Sequence, residues 1–242
     1  MYNTQRLYEK KFMRSIKETN QYQLNDIQVK PLEVWGHTKN FSLIVEVAQY
    51  GQKSKAIYYP EKGVRFAIDT RIPKPSEVRH HTAYSALCEM LGWDVAIPAM
   101  LISLAHDDHG ALSPFYDNAE VKPHYYFEKL HPSQTWFKVA ALDYLAGLID
   151  RTSNDILFLP DGSIKVTDNG LSFVEGTDFS TQISVVRKAL RGITLPNNLL
   201  QDVSLLDQNE LQNLSPLLYN PEKALNAVLA RQNRLLNQRV VL

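Results

Sequence analysis

The stretch LIDRTSNDILFLPDGSIKVTDNGLSF, Leu148 to Phe173, gathers three aspartates around one hairpin. Asp161-Gly162 is a two-residue turn signal between two apolar runs. With those residues as the turn centre, Pro160 faces Ser163, Leu159 faces Ile164, Leu157 faces Val166 and, further out, Asp155 faces Asp168. Directly opposed side chains lie about 4.5–5.5 Å apart at Cβ, and like charges there are destabilising. A divalent cation reverses that sign, and Mg²⁺ takes one or two carboxylates plus phosphate oxygens and water. Two plainer alternatives stay open: a pair of solvated aspartates at the open end of a hairpin, or a one-residue register slip that removes the pairing.

Asp150 adds weight to the metal reading. It ends an apolar helix and precedes Asp155 by five residues. An acid there can accept a proton from an attacking hydroxyl while the next carboxylates hold metal, which is the logic of the protein-kinase catalytic loop.

Working outward, PLEVWG, NFSLIVEVAQYG and KSKAIYYP, from Pro31 to Pro60, are rich in β-branched and aromatic residues and predict an antiparallel sheet. Pro75-Ser76-Glu77 opens a helix that Gly92 stops. VAIPAMLISLA and HYYFEKL read as further strands, with an exposed loop, AHDDHGALSPFYDNAEVKP, between them. Ser133 caps a helix from Gln134 to about Ile149, whose wide apolar stripe predicts a buried, central position. From Val185 onward the pattern is helical, and Asn220-Pro221 starts the last helix. A β-rich half thus precedes an α-rich half, with a seam near Leu130 to Ser133, and ligand sites favour such seams.

Bulk composition narrows the function classes. The chain has 242 residues, of which 26 are basic and 26 acidic. That balance gives no reason to expect nucleic acid as a partner. One cysteine, Cys88, excludes an internal disulfide and fits a reducing compartment. The first residues lack a signal-peptide core, and no apolar run reaches 18 residues, so a cytoplasmic protein without a membrane span is expected. His80 and His81 are neighbours on a helix and point about 100° apart, which disfavours a shared metal. HDDHG, His106 to Gly110, reads as an exposed loop, and Cys88 sits mid-helix among apolar residues. No G-x-S-x-G, Walker A or Rossmann fingerprint occurs.

DRTSNDIL followed by VTDNGLSF resembles the D-R-x-x-x-N-I-L…I-D-x-G pattern of the phosphatidylinositol 3-/4-kinase-like superfamily, which includes HipA-like kinases and uncharacterised bacterial kinase-like proteins. Upstream, WGHTKNFSLIVEV, AIYYPEKG and RHHTAYSALCEMLGW resemble the phosphate-loop strand pair, the Y-K-P strand and the R-E-x-A-A-Y…L-G-W helix of the bacterial members. The resemblance implies an α+β, two-lobed protein-kinase-like fold. It would comprise an N-terminal arm (1–30), a β-rich N-lobe of sheet plus one helix (31–131) and a mostly helical C-lobe (132–242). Asp150 matches the catalytic aspartate, and Asp155 and Asp168 match the metal ligands, Asp155 standing where the family has Asn or His. Gly36, Thr38, Lys39 and Asn40 match the phosphate-covering loop. Phe127 to Leu130, with Glu128 and Leu130, match the hinge that meets adenine.

Two positions depart from the pattern. Tyr59 stands at the lysine of Y-K-P, and His80 at the helix glutamate, so both halves of the pair that fixes the α- and β-phosphates are replaced. Lys39 or Lys62 could supply the missing charge. The resemblance implies an ATP- and Mg²⁺-dependent phosphotransferase whose partners are a nucleotide and a protein or small-molecule acceptor. Its alternatives are a pseudokinase acting as a nucleotide-binding or scaffold module, and a nucleotidyl transferase on the same fold.

Overall fold

The computed structural model describes residues 22–24, 27–35, 41–50, 52–64, 73–105, 108–174 and 184–242. Six antiparallel strands form one sheet in the order β1-β2-β3-β4-β6-β5. They are β1 (Tyr22–Leu24), β2 (Ile27–Trp35), β3 (Ser42–Gln49), β4 (Gln52–Pro60), β5 (Met100–Ala105) and β6 (Asp108–Pro114). β1 also contacts β5, so the sheet curls toward closure. One face buries Val29, Leu43, Val45, Tyr58, Ile102 and Leu112 together. β6 corrects the expectation of a loop over this stretch. Its Ala111, Leu112 and Ser113 are buried, and it pairs with β4 on one side and β5 on the other. A central place in a sheet overrides the turn-like composition of HDDHGALSP.

Helix α1 (Lys74–Met90) packs against β5 and β6 on one side and the 3-10 turn Gln212–Leu217 on the other. Pro75 falls in its first turn and Gly92, at φ 64°, ends it, as the sequence predicts. HYYFE forms helix α2 (His124–Glu128), not a strand. Its Tyr126 and Phe127 join Trp136 and Phe158 in edge-on and tilted ring contacts with centroids 5.3–5.9 Å apart. The aromatic content that suggested a strand is spent on this cluster.

Helix α3 (Gln134–Leu145) starts where Ser133 Oγ accepts the Trp136 N–H at 3.4 Å. Nine of its twelve residues are buried, so it lies inside the helical core, as its wide stripe predicts. It stops a turn earlier than its apolar run does, because Gly147 adopts φ 62°. Leu148 to Asp150 therefore form an irregular segment, and Asp150 sits on a loop, not at a helix end. A hairpin follows, with β7 (Ile156–Phe158) and β8 (Ile164–Val166). The remaining helices among the described residues are α4 (Val185–Leu190), α5 (Asn197–Ser204), α6 (Gln208–Leu211) and α7 (Pro221–Gln238). Among the described residues no helix is long and apolar enough to cross a membrane.

Candidate functional site

The hairpin register differs from the expected one by one residue. Ile156 faces Val166, Leu157 faces Lys165 and Phe158 faces Ile164. Pro160 is the reason. The residue before a two-residue turn must donate its N–H across the hairpin, and proline has none. Leu159 takes over, donating to the Ser163 carbonyl at 2.9 Å, while Gly162 donates to the Leu159 carbonyl at 2.9 Å. Three residues, Pro160 to Gly162, thus form the loop, with Gly162 left-handed at φ 83°. Asp155 consequently pairs with Thr167, whose N–H donates to the Asp155 carbonyl at 2.9 Å.

Asp155 and Asp168 nonetheless meet electrostatically. Asp168 has left the strand direction, with φ 53°, and is exposed. Asp155 is 9% exposed, and burial, aided by the Asp168 charge and opposed by Arg151, raises its carboxyl to about 6. One oxygen of Asp155, Oδ2, accepts the Thr152 N–H at 2.6 Å and the Thr152 hydroxyl at 2.8 Å. That capping box fixes the carboxylate within the short 3-10 turn Ser153–Asp155. Two mutually repelling carboxylates, one oriented by its neighbours, are a donor set that fits a single hard divalent cation completed by ligand oxygens and water. Among the described residues no group of three or more His, Cys, Asp or Glu forms a fuller metal cage.

The loop bearing Asp150 and the turn bearing Asp168 are laced together. Ile149 N–H donates to the Leu171 carbonyl at 3.2 Å, and Phe173 N–H donates to the Ala146 carbonyl. Between them, the fully buried Arg151 guanidinium acts as a hub. It donates to Asp143 Oδ1 at 2.9 Å, to the Tyr84 hydroxyl at 3.1 Å, to Asn169 Oδ1 at 2.6 Å and to the Thr167 carbonyl. Tyr84 in turn donates to Asp143 Oδ1 at 2.6 Å. Burial pulls the Arg151 pKa down, but the Asp143 charge and its hydrogen bond more than offset it, so the guanidinium stays a cation. One ion pair thus links α1, α3, the Asp150 loop and the Asp168 turn. Asp143 offered a sequence clue: a lone acid on the buried stripe of α3 demands a cationic partner.

Tyr59, on β4, comes to the same place. Burial and the Asp168 charge raise its phenol pKa, while a hydrogen bond with Thr167 works the other way. Its ring lies 5.4 Å from that of His81, tilted by 49°. The α1 side chain that meets Tyr59 is therefore His81, which corrects the assignment of His80 to that position. His80 points one helical step away. Its Nδ1–H donates to the Ser172 carbonyl at 2.8 Å, and its Nε2 accepts the Tyr219 N–H at 3.4 Å. Burial depresses both imidazoles to about 4, so both are neutral.

The other expected site residues divide. Gly36, Thr38, Lys39 and Asn40 lie outside the described residues. Lys62 is exposed on the 3-10 turn Glu61–Gly63, directly after β4. That turn is tied to α1 by Arg79, which donates to Glu61 Oε1 at 2.7 Å. Glu128 and Leu130 are not in a strand-to-helix crossing: Glu128 ends α2, and the Leu130 N–H is already donated to the Phe127 carbonyl at 3.3 Å. The chain crosses from β6 to α2 through Phe115 to Pro123, where Glu120 and Phe158 exchange backbone bonds at 2.9 and 2.8 Å.

No protein-family model matches the sequence, and no curated protein is similar to it. The structure is similar to that of the Helicobacter pylori proinflammatory kinase CtkA, with a TM-score of 0.54 and 11% identity over 87% of this chain and 94% of that one. Across so few identical residues, the likeness shows that this mixed sheet-and-helix chain has a kinase-like fold.

Proposed function

We propose that the chain is a phosphotransferase that uses a Mg²⁺-bound nucleotide, ATP in the simplest case, in a cleft between a β-rich lobe ending near residue 131 and a helical lobe from 132. The observation that carries this reading is the Arg151 hub. It joins the loop that carries Asp150 to the Thr167-Asp168-Asn169 turn, the two segments that bear the expected acids. In this reading Asp155 and Asp168 hold the cation, and Mg²⁺ supplies neutralisation of phosphoryl charge. Asp150 orients the acceptor hydroxyl and receives its proton as the phosphoryl group is transferred. The likeness to a kinase supports phosphoryl transfer over the nucleotidyl alternative.

A second reading, a non-catalytic nucleotide-binding module, is favoured by one observation. The positions expected to hold the Lys–Glu pair carry Tyr59 against a neutral His81, so neither contributes a cation toward phosphates. The test is Mg²⁺-dependent hydrolysis of ATP, or self-labelling from it, by wild type, Asp150→Asn and Asp168→Asn. Phosphotransfer predicts that Asp150→Asn loses turnover and keeps binding, because Asp150 acts on the acceptor in the transition state. Asp168→Asn loses both. Equal signals from wild type and Asp150→Asn reject the enzyme and leave the binding module.

A further inference from the structure

Asp168 is a non-glycine residue at φ 53°, a left-handed conformation that persists only where its surroundings hold it. Three hydrogen bonds of its two neighbours do so. Thr167 gives its carbonyl to Arg151, Asn169 gives its side-chain oxygen to Arg151, and Asn169 also donates its backbone N–H to His81 Nδ1 at 3.2 Å. The last bond is the one that leaves the hairpin and reaches α1.

His81 is built for that task. It is 6% exposed, and its Nε2 faces Ser113 Oγ on β6 at 3.2 Å. Because Nδ1 must accept from Asn169, the ring proton sits on Nε2 and is donated to Ser113. Tyr59 covers one side of the imidazole at 5.4 Å. The ring is thus fixed from β4 and β6, and it presents one lone pair to the residue after Asp168. Gly170 completes the contact: a Cβ there would lie 2.9 Å from the Glu77 carbonyl of α1, so the turn sits flush against the helix.

We propose that His81 is a positioning residue for the metal carboxylate Asp168: its Nδ1, held by Ser113 and Tyr59, anchors the Asn169 backbone to α1. A neutral hydrogen bond would then couple α1 to the metal turn, in a chain whose Tyr59 and His80 replace both halves of the Lys–Glu pair of the family pattern. This rests on the reading of Asp168 as a metal ligand, but the anchoring can be measured without metal.

The experiment compares three variants by site-resolved amide hydrogen exchange at Asn169, and by Mg²⁺ titration in the presence of ATP. His81→Phe keeps the ring against Tyr59 and removes the acceptor. His81→Asn places an amide oxygen near the position of Nδ1. Ser113→Ala keeps the imidazole and frees its far nitrogen, and it serves if His81→Phe does not fold. With urea midpoints as the control for global stability, His81→Phe should speed Asn169 exchange at least about tenfold and leave amides inside α3 unchanged. Outer-shell partners of metal ligands are typically worth about 10–100-fold in affinity, so its Mg²⁺ affinity should fall by about tenfold or more. His81→Asn should stay within about threefold of wild type on both readouts, and Ser113→Ala should fall between the two. The proposal is overturned if His81→Phe leaves Asn169 exchange at the wild-type rate, if His81→Asn loses as much as His81→Phe, or if Ser113→Ala has no effect. Should wild type bind no Mg²⁺-nucleotide, the functional reading fails, and the Asn169 exchange rates alone decide the role of His81.

Discussion

Asp143→Asn is the most revealing single change outside the acids themselves. Asp143 and Arg151 are both fully buried and joined at 2.9 Å, and Asp143 is the only carboxylate salt-bridged to Arg151 among the described residues. Asparagine preserves shape and an acceptor oxygen but removes the charge, leaving a buried guanidinium without its salt-bridge partner. Breaking a buried pair from one side typically costs about 3–5 kcal/mol. The retained acceptors on Tyr84, Asn169 and Thr167 place this case at the lower end, about 3 kcal/mol, a large fraction of a typical stability of about 5–15 kcal/mol. With a urea slope of about 3 kcal/mol per molar, the midpoint should fall by about 1 M. The second arm is the double variant Asp143→Asn with Arg151→Met. With both charges gone no buried charge is left uncompensated, so the double variant should be more stable than the sum of the single effects by more than about 1 kcal/mol. A midpoint for Asp143→Asn within about 0.2 M of wild type, or strictly additive effects, would refute the view that this ion pair is the hub of the site.

Acid should unfold the protein in a particular way. His80 and His81 sit near 4 when folded and about 6.5 when unfolded, so their stabilisation is complete above pH 6.5 and is lost as pH falls toward 4, about 3 kcal/mol for each. Asp155, raised to about 6, works against them between about pH 6 and 4, because the folded chain there holds the extra proton. Urea midpoints measured from pH 7 to 4.5 should therefore fall more steeply in Asp155→Asn than in wild type; parallel profiles would contradict this assignment. Two glycines should respond differently to alanine. Gly147 has φ 62° and a new Cβ would meet Arg231 Nη1 at 2.6 Å, whereas Gly162 has φ 83° with open space around it. Thermal and urea unfolding should give a loss of about 2–4 kcal/mol for Gly147→Ala and about 1 kcal/mol for Gly162→Ala, and equal losses would be the contrary result.

Local signals in the sequence were reliable where one residue decides the backbone. Ser133 caps α3, Gly92 ends α1 and Pro221 opens α7 as their chemistry requires. The hairpin shows the limit of that approach. Asp161-Gly162 reads as a two-residue turn, yet the missing N–H of Pro160 moves the closing pair out to Leu159 and Ser163 and shifts the register by one. The same proline, weighed as a donor that is absent, would have given the observed loop. The choice between His80 and His81 could not be made from α1 alone, since neighbouring helix positions differ by about 100° and only packing against β4 fixes the phase. β6 and α2 were misread because pairing on both sides and an aromatic cluster overrode their local composition. Of the site itself, the approach of Asp168 to Asp155 was legible from the hairpin. The Arg151 hub was not, because a buried ion pair joins residues distant in sequence and leaves only a misplaced Asp143 as its trace.

The central claim is that Asp155 and Asp168 bind a nucleotide through a shared Mg²⁺. Thermal unfolding of wild type and Asp168→Asn with ATP, GTP or AMP, each with and without Mg²⁺, tests it most directly. Ligands that bind only the folded chain raise the melting temperature by mass action. The account predicts that Mg²⁺ and a triphosphate together stabilise wild type more than either does alone, in a manner that grows with concentration and disappears in Asp168→Asn. No shift at millimolar Mg²⁺-ATP and Mg²⁺-GTP, or the same shift in Asp168→Asn as in wild type, would contradict it.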